Sequence, residues 1–305
     1  MLTVVDLTSR ELHARLAGDG LTLAIDPFVV RLRSPIARLA DALAGLYCDY
    51  SVLDDTAFAD FHVTVARGGG LRRFVGPGQS RFLFDGTAPF KPLPVAQAYP
   101  SFEWGLNWCV ANHCHQFLII HAAVVERNGR AAILAAPPGS GKSTLCAGLV
   151  NRGWRLFSDE LALIDTGTGE LVAFPRPICL KNTSIEVIKA FAPMAQFGPM
   201  VRETRKGDVA HMRPSQQDIR LAARRARPAW IVLPRFEAGA TTRLRPMAKA
   251  HAGWSLASNA FNFSVLGDAG FATLSQAVDG CTGYELDYGD LDAATALLAG
   301  LAESA

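Results

Sequence analysis

The chain has 305 residues, of which 50% are hydrophobic and 19% are charged, as expected for a globular protein with one large or two smaller domains. Its formal net charge of +2 gives no electrostatic basis for binding nucleic acid or an anionic membrane, so we expect neither partner. The six cysteines form no CxxC pair, residues 1–19 lack the apolar core of a signal peptide, and no apolar run is long enough to cross a bilayer. These features predict a cytoplasmic location.

Residues 1–95 predict a small α+β domain that is rich in antiparallel strands. The expected elements are a helix at 6–16, strands at 21–25 and 28–33, a helix at 36–46, and strands at 60–66 and 81–85. Glycine-rich stretches at 68–70 and 76–78 mark turns. The proline-rich residues 89–94 are expected to be a linker, and no catalytic grouping occurs before them.

Residues 102–115 form an aromatic segment with Trp104, Trp108 and Ala111 at helical spacing. We interpret it as a helix that docks the two halves of the chain together. The segment also contains four residues of types that bind zinc, namely Cys109, His113, Cys114 and His115. They do not share one helix face, and no second pair follows, so the structural interpretation is favoured.

The stretch from 119 to 165 is the most informative part of the sequence. Residues 131–136 are an apolar run bounded by turn signals, which is typical of a buried strand, and residues 143–150 predict a helix. The sequence GSGKST, from Gly139 to Thr144, lies between them. A strand, a glycine-rich loop and GKS at the start of a helix together predict a phosphate-binding P-loop.

Backbone N–H groups and the helix N-terminus bind phosphate oxygens in such a loop. The expected nucleotide-binding residues are Pro138, Gly139, Ser140, Gly141, Lys142, Ser143 and Thr144. Lys142 would reach the β- and γ-phosphates of ATP, and the Ser143 hydroxyl would hold Mg²⁺. The usual pattern begins with glycine where this chain has Ala136, so the two prolines that follow are expected to shape the entry turn.

Asp159 and Glu160 end the run that begins at Trp154. Asp159 lies 17 residues after Lys142. Because one helix and a short turn fill that gap, we expect this strand to lie beside the P-loop strand, with its acidic end near the γ-phosphate. The two carboxylates would divide two tasks, one holding Mg²⁺ and the other accepting a proton. Asp165, which ends the next apolar run, is expected at the far end of the sheet.

Three segments, His121 to Val125, the GSGKST loop and residues 150–160, resemble the catalytic domain of HPr kinase/phosphorylase. Beyond that core the chain is more similar to the bacterial HPr-kinase-related group called kinase A. The pattern comprises Glu103–Trp108, Arg176-Pro177 with Leu180-Lys181, Lys206-Gly207 with Ala210-His211, Phe261-Asn262 with Leu266-Gly267, and Gly270-Phe271. The resemblance covers residues 80 to 290 approximately.

The resemblance implies an α/β fold: an HPr-kinase-like P-loop domain with a mixed sheet over 96–305, preceded by the small α+β domain. It matches Lys142 and Ser143 to nucleotide and Mg²⁺ residues, and Asp159 to the catalytic base. Glu160 stands where the family usually has a second aspartate, and His121 matches the histidine that starts the strand before the P-loop.

Glu203-Thr-Arg205 is similar to an E-x-R-G segment that helps to hold metal and the transferred phosphate, although the glycine spacing differs. Because the family's phosphorylase activity depends on that segment, we expect kinase activity alone. Residues 202–213 are rich in basic side chains and show no strong periodicity. They predict a mobile loop that closes over the γ-phosphate and brings in Arg205 and Lys206, with Arg176 as a further cation; a solvated basic face is the alternative.

The later part of the chain predicts a strand at 230–236, helices at 255–266 and 269–278, a strand at 284–288 and a closing helix at 291–302. The favoured function is an ATP- and Mg²⁺-dependent kinase that phosphorylates a hydroxyl, with Ser or Thr of a peptide or small protein as the favoured acceptor. A small-molecule acceptor, or a nucleotide-dependent binding or scaffold protein without transfer, are the alternatives. The sequence leaves open whether the chain forms a homo-oligomer.

Overall fold

The computed structural model describes residues 2–69 and 78–303, and over these residues the chain is a mixed α/β structure. The predicted glycine-rich turns at 68–70 and 76–78 lie partly outside the described residues. None of the helices in the described ranges is long and apolar enough to cross a membrane.

The first sheet has five strands, in the order β1-β2-β3-β4-β5. They are β1 (Leu21–Ile25), β2 (Phe28–Arg33), β3 (Phe61–Arg67), β4 (Gln79–Phe84) and β5 (Leu93–Pro94). Only the β2–β3 pair is parallel; the other three pairs are antiparallel. The prediction of a linker at 89–94 is therefore wrong for its last two residues. Leu93 and Pro94 pair with β4 and form the last strand of this sheet.

Three helices pack on this part of the chain: α1 (Ser9–Ala17), α2 (Ala37–Leu46) and α3 (Ala98–His113). Thr8 caps α1 by accepting a hydrogen bond from the Glu11 N–H, and the Glu11 carboxylate bonds back to Thr8. The hydrophobic cluster of the first sheet continues through α3 as far as Phe117 and Phe174. The aromatic helix α3 thus lies between the first sheet and the later strands.

The later strands are β6 (Phe117–Ile120), β7 (Ala122–Arg127), β8 (Arg130–Ala135), β9 (Arg155–Ser158), β10 (Ala162–Asp165), β11 (Leu171–Val172), β12 (Ile178–Lys181), β13 (Val201–Thr204), β14 (Gly207–Met212), β15 (Arg227–Phe236), β16 (Arg243–Met247) and β17 (Thr282–Tyr288). The later helices are α4 (Lys142–Val150), α5 (Thr183–Phe191), α6 (Gln216–Arg220), α7 (Lys249–Ser258), α8 (Phe263–Leu266), α9 (Asp268–Gly280) and α10 (Leu291–Glu303).

The largest sheet has the order β16-β17-β15-β8-β7-β9 and is mixed. The pairs β15–β8 and β15–β17 are parallel, whereas β7 is antiparallel to both β8 and β9. The predicted adjacency of the Asp159 strand and the loop-bearing strand is therefore wrong, because β7 lies between β8 and β9. The cause is local: Asn128 and Gly129 both have positive φ and form a tight hairpin turn, which places β7 directly beside β8.

Two three-stranded sheets complete the fold, with the orders β11-β10-β6 and β12-β14-β13. The predicted mobile loop at 202–213 is wrong as secondary structure, because β13 and β14 form a hairpin whose second strand pairs with β12. Residues 209–212 are buried at every position. A strand buried on both faces shows no alternation in the sequence, which explains why its periodicity is not visible.

The predicted helix at 255–266 is also corrected, because the chain leaves the helix after Ser258 and forms α8 only from Phe263. Asn262 lies in this break and uses its side chain on a neighbouring strand. Its Oδ1 accepts from the Ile119 N–H at 3.0 Å, and its Nδ2 donates to the Phe117 carbonyl at 2.8 Å. These tertiary hydrogen bonds join the break between α7 and α8 to the backbone of β6.

Candidate active site

A glycine loop, residues 137–141, connects β8 to α4. Gly139 has φ +86° and Gly141 has φ +88°, a region that favours glycine. A Cβ on Gly141 would also collide with the hydroxyl of Tyr288, which donates a 2.9 Å hydrogen bond to the Gly141 carbonyl. The Phe236 N–H donates to the Ser140 carbonyl at 2.9 Å. The C-terminal ends of β15 and β17 therefore hold the loop in place.

A cleft of about 1020 Å³ opens above this loop at the N-terminus of α4. The predicted site residues that line it are His121, Pro138, Gly139, Gly141, Lys142, Ser143, Thr144, Glu160 and Lys206. Ser140 instead lines a second, smaller cleft on the outer side of the loop. The folded chain therefore brings most of the predicted site to one concave surface, including residues 85 positions apart in sequence.

Lys142 is buried at the first position of α4, and its Nζ donates to the Ala136 carbonyl at 3.4 Å. Burial lowers the pKa of Lys142, Lys181 lowers it further, and the carboxylates of Asp159 and Glu160 oppose this shift. The ammonium therefore sits between the loop and the acidic pair. An anion that entered the cleft would meet a positive charge already held in place.

Asp159 is 5% exposed and lies immediately after β9. Its Oδ2 accepts from the Cys179 N–H at 3.0 Å, while its buried Oδ1 has no hydrogen-bond partner among the described residues. Burial and the Glu160 carboxylate raise the pKa of Asp159 to about 6, against the opposing effects of the Ser143 hydroxyl, Lys181 and the Cys179 N–H.

A buried carboxylate oxygen without a partner, beside a hydroxyl at the start of α4, fits a hard cation such as Mg²⁺. Such an ion is usually held by one or two carboxylates together with substrate phosphates and water. In the described ranges no group of three or more His, Cys, Asp or Glu side chains is arranged to hold a metal, and this includes the cysteines and histidines around α3. Asp159 and Ser143 are thus the residues that could hold Mg²⁺, with Glu160 next to them.

Glu160 is surrounded by positive and polar groups. Its Oε2 lies 3.5 Å from Nδ1 of His121, and its Oε1 lies 3.9 Å from Nζ of Lys181. Burial favours the neutral acid, but Lys181, His121, Lys206 and Lys142 outweigh it and lower the pKa of Glu160. Burial, reinforced by Lys142, lowers the pKa of His121 despite Glu160. Glu160 is therefore the more acidic member of the pair, and His121 is a neutral neighbour at neutral pH.

The β13–β14 hairpin delivers one of its predicted residues to the cleft. Lys206, at the turn, lines the cleft, whereas Arg205 and Glu203 are exposed and are not among the described residues that line it. Glu203 has φ +54°, and its N–H donates to Oδ1 of Asp208 at 3.0 Å. Only one side chain of the three predicted on this hairpin is placed where it can meet a ligand in the cleft.

Arg176 does not supply a cation to the cleft, contrary to the sequence prediction. Its guanidinium is buried and pairs with Oε2 of Glu103 at 2.9 Å, and it also donates to Asn107. The hydroxyls of Tyr47 and Tyr99 donate to the other oxygen of Glu103, at 2.7 and 2.6 Å. The charge of Arg176 is therefore used inside the protein, between α3 and the segment that leads to β12.

Lys181 is the main site residue that the sequence prediction omitted. It ends β12, lines the cleft and has a pKa raised by Cys179 and the two acids in spite of its burial. Tyr288, which supports the loop from β17, was also omitted. A lysine or tyrosine that ends an apolar strand was the available signal, because strand ends in α/β proteins border the ligand cleft.

Residues 106–184 match the family described as "SynChlorMet cassette protein ScmC", which is less than half of the chain. No curated protein matches. Among solved structures, the chain is similar to the Hpr(Ser) kinase/phosphatase from Coxiella burnetii at 10% identity and a TM-score of 0.27, over 61% of this chain and 94% of that one. A TM-score this low leaves the chemistry of the site to be argued from its own residues.

Proposed function

We propose that this chain is an ATP- and Mg²⁺-dependent kinase that transfers the γ-phosphate to a hydroxyl group. One observation carries the proposal: Asp159, which has a buried oxygen without a hydrogen-bond partner among the described residues, lies beside Ser143. Ser143 lines a large cleft together with Lys142, Glu160 and the glycine loop, whereas Asp159 itself is not among the described lining residues. The same proposal assigns residues 96–305 to an HPr-kinase-like P-loop domain and residues 1–95 to a small α+β domain. The sequence motifs support this assignment.

Phosphoryl transfer asks a protein mainly to position the reactants and to neutralise charge. The N–H groups of the glycine loop and the N-terminus of α4 would bind the phosphate oxygens of ATP. Lys142 would contact the β- and γ-phosphates, and Lys181 and Lys206, which line the same cleft, would approach the same phosphates. The positive charge of these lysines suits a polyanionic substrate.

Asp159 would accept the proton of the attacking hydroxyl. As that oxygen bonds to the γ-phosphorus, the bond to the bridging oxygen breaks and ADP leaves. A pKa of about 6 keeps Asp159 ionised at neutral pH yet makes it a stronger base than an ordinary aspartate. Ser143 and Asp159, with Glu160, would hold Mg²⁺, which when bound would neutralise charge on the β- and γ-phosphates.

The acceptor is proposed to be Ser or Thr of a peptide or small protein. A small hydroxyl compound is the second candidate, because a cleft of about 1020 Å³ is at the upper end of the range for small-molecule sites and has room beside a nucleotide. Mg·ATP turnover measured separately with water, with Ser/Thr peptides and with small alcohols distinguishes these acceptors. A chain that binds Mg·ATP but turns over with none of them would be a nucleotide-dependent binding protein.

Replacing Lys142 tests the proposal directly. Lys142→Ala removes the buried cation that directly follows the glycine loop, and we expect it to lose on the order of 2–4 kcal/mol of transition-state stabilisation, as for other preorganised donors. Mg·ATP affinity by calorimetry and turnover by ADP release are the measurements. Lys189→Ala is the matched control, because Lys189 is on α5, pairs with Glu186 and does not line the cleft. Equal behaviour of the two variants would contradict the proposal.

A further inference from the structure

The turn of the β13–β14 hairpin holds Lys206 in a defined backbone conformation. The Lys206 N–H donates to Oγ1 of Thr204 at 3.0 Å, and that hydroxyl donates to the Gly207 carbonyl at 2.7 Å. Gly207 has φ +84° and lies against the side chain of Asn182, where a Cβ would collide. The Asn182 Oδ1 also accepts from the Asp208 N–H at 3.1 Å. The turn is thus fixed to the end of β12, beside Lys181.

The side chain of Lys206 is placed by a different contact. Its Nζ lies 5.1 Å from the ring centroid of Trp104, on α3, which is within the range of a cation–π interaction. Lys206 also lines the cleft, and its charge lowers the pKa of Glu160. The ammonium therefore lies between an aromatic ring and the acidic end of the cleft.

Trp104 lies on α3 between two residues that are tightly anchored. Its indole Nε1 is buried and has no partner among the described residues. Its neighbour Glu103 is bound to Arg176, and Gly105 lies against the ring of Phe82 so closely that a Cβ would collide. The backbone of α3 is therefore anchored on both sides of Trp104, whereas Lys206 is an exposed side chain.

We propose that Trp104 is a positioning residue whose ring holds the Lys206 ammonium at the mouth of the cleft, ready to meet the phosphates of the substrate. The proposal rests on the proposed function and names one element of its charge arrangement. A free lysine side chain samples many rotamers and would have to lose that freedom on binding. An ammonium that is already confined by an aromatic ring loses less conformational freedom on binding. Its attraction to the phosphate therefore contributes more to the binding free energy.

Binding of inorganic tripolyphosphate in the presence of Mg²⁺, measured by calorimetry on the full chain, tests this without knowledge of the acceptor. Trp104→Leu keeps an apolar side chain without a π face, and Lys206→Met removes the charge. We expect each to weaken binding by about threefold to tenfold, in the range of a single cation–π contact. Trp104→Phe should retain most of the affinity, because a phenyl ring also attracts a cation.

The double variant decides between positioning and general structural support. If Trp104 acts through Lys206, Trp104→Leu will cause no further loss in the Lys206→Met background. Arg202→Met is the matched control, since Arg202 is an exposed cation on the same hairpin that does not line the cleft. Wild-type affinity in Trp104→Leu, additive losses in the double variant, or tighter binding by Trp104→Leu would each overturn the proposal.

A second measurement keeps the proposal testable if Trp104→Leu does not fold. In the wild-type protein the ε-methylene protons of Lys206 should show an upfield ring-current shift in NMR spectra, and the shift should persist with tripolyphosphate bound. Absence of that shift would overturn the positioning role. Failure of the wild-type chain to bind tripolyphosphate, or binding unaffected by Lys142→Ala, would overturn the proposed function as well.

Discussion

Two buried carboxylates, Glu103 and Asp159, differ in how completely they are partnered. Glu103 has both oxygens occupied, one by Arg176 and the other by the hydroxyls of two tyrosines. Asp159 has one oxygen bound to a backbone N–H and the other without a partner in the described residues. Burial raises the pKa of both, although Arg176 and the tyrosines oppose the shift for Glu103.

The difference distinguishes a structural acid from one that is available for chemistry. A buried ion pair in which both carboxylate oxygens accept hydrogen bonds holds elements in register, here α3 against the segment before β12. A buried carboxylate oxygen without a partner is costly unless a ligand supplies what the protein does not. Variants at the two positions should therefore fail in different ways, one in stability and the other in turnover.

The largest effect is expected for Asp159→Asn. Asparagine keeps the size and the contact with the Cys179 N–H but has no basicity and weakens the proposed Mg²⁺ contact. Turnover should fall by about 10²–10⁴, while ATP still binds through the glycine loop and Lys142. Steady-state ADP release measures turnover, and calorimetry measures the affinity for ATP. If Glu160→Gln costs more turnover than Asp159→Asn, Glu160 rather than Asp159 is the base.

Glu103→Ala should show the opposite pattern. It leaves the buried charge of Arg176 unpaired, and we expect a loss of about 3–5 kcal/mol in the free energy of unfolding. Denaturant unfolding measures this loss, and Glu103→Gln, which keeps a hydrogen-bonding group, should lose less. Turnover per folded molecule should change little, so a large loss of turnover in a well-folded Glu103→Gln variant would contradict the structural assignment.

The pH dependence of turnover and of stability gives a further test of the role of Asp159. If Asp159 is the proposed base, turnover needs its ionised form and should fall by about tenfold per unit as the pH drops below about 6. The folded state binds the Asp159 proton more tightly than the unfolded chain does. The contribution of Asp159 to stability therefore declines as the pH rises from 3.8 through about 6. Asp159→Asn should lack this decline and be at least as stable as wild type at pH 8; lower stability there would argue against a buried charged acid.

The smallest effect is expected for Lys181→Met, which alters the surroundings of Asp159 and Glu160 but removes neither carboxylate. The charge of Lys181 lowers the pKa of Glu160 and faces the same cleft as Lys142. Because Lys181 is partly exposed, we expect about a tenfold loss of turnover, less than for a fully buried donor. Lys181→Arg should retain most of the activity, and equal losses in both variants would indicate a role in packing instead of charge.

The sequence alone determined the elements whose signals are local. The strand, glycine loop and helix over 130–150 follow from an apolar run, glycines at positions of positive φ and a helix start, and the structure has them within one residue of the prediction. The acidic pair after β9 and the buried aromatic helix α3 are equally visible in the sequence. These features depend on neighbouring residues, so no distant contact is needed to recognise them.

Only the tertiary structure decided which distant groups meet. It inserted β7 between β8 and β9, paired Arg176 with Glu103 away from the cleft, and turned the expected loop at 202–213 into a hairpin on β12. It also brought Lys181 and Lys206 to the acids, a placement that depends on β12–β14 pairing across about thirty residues of chain. Which strands pair, and which acid an arginine binds, depends on contacts between residues that are far apart in the sequence. A local sequence pattern contains no information about those contacts.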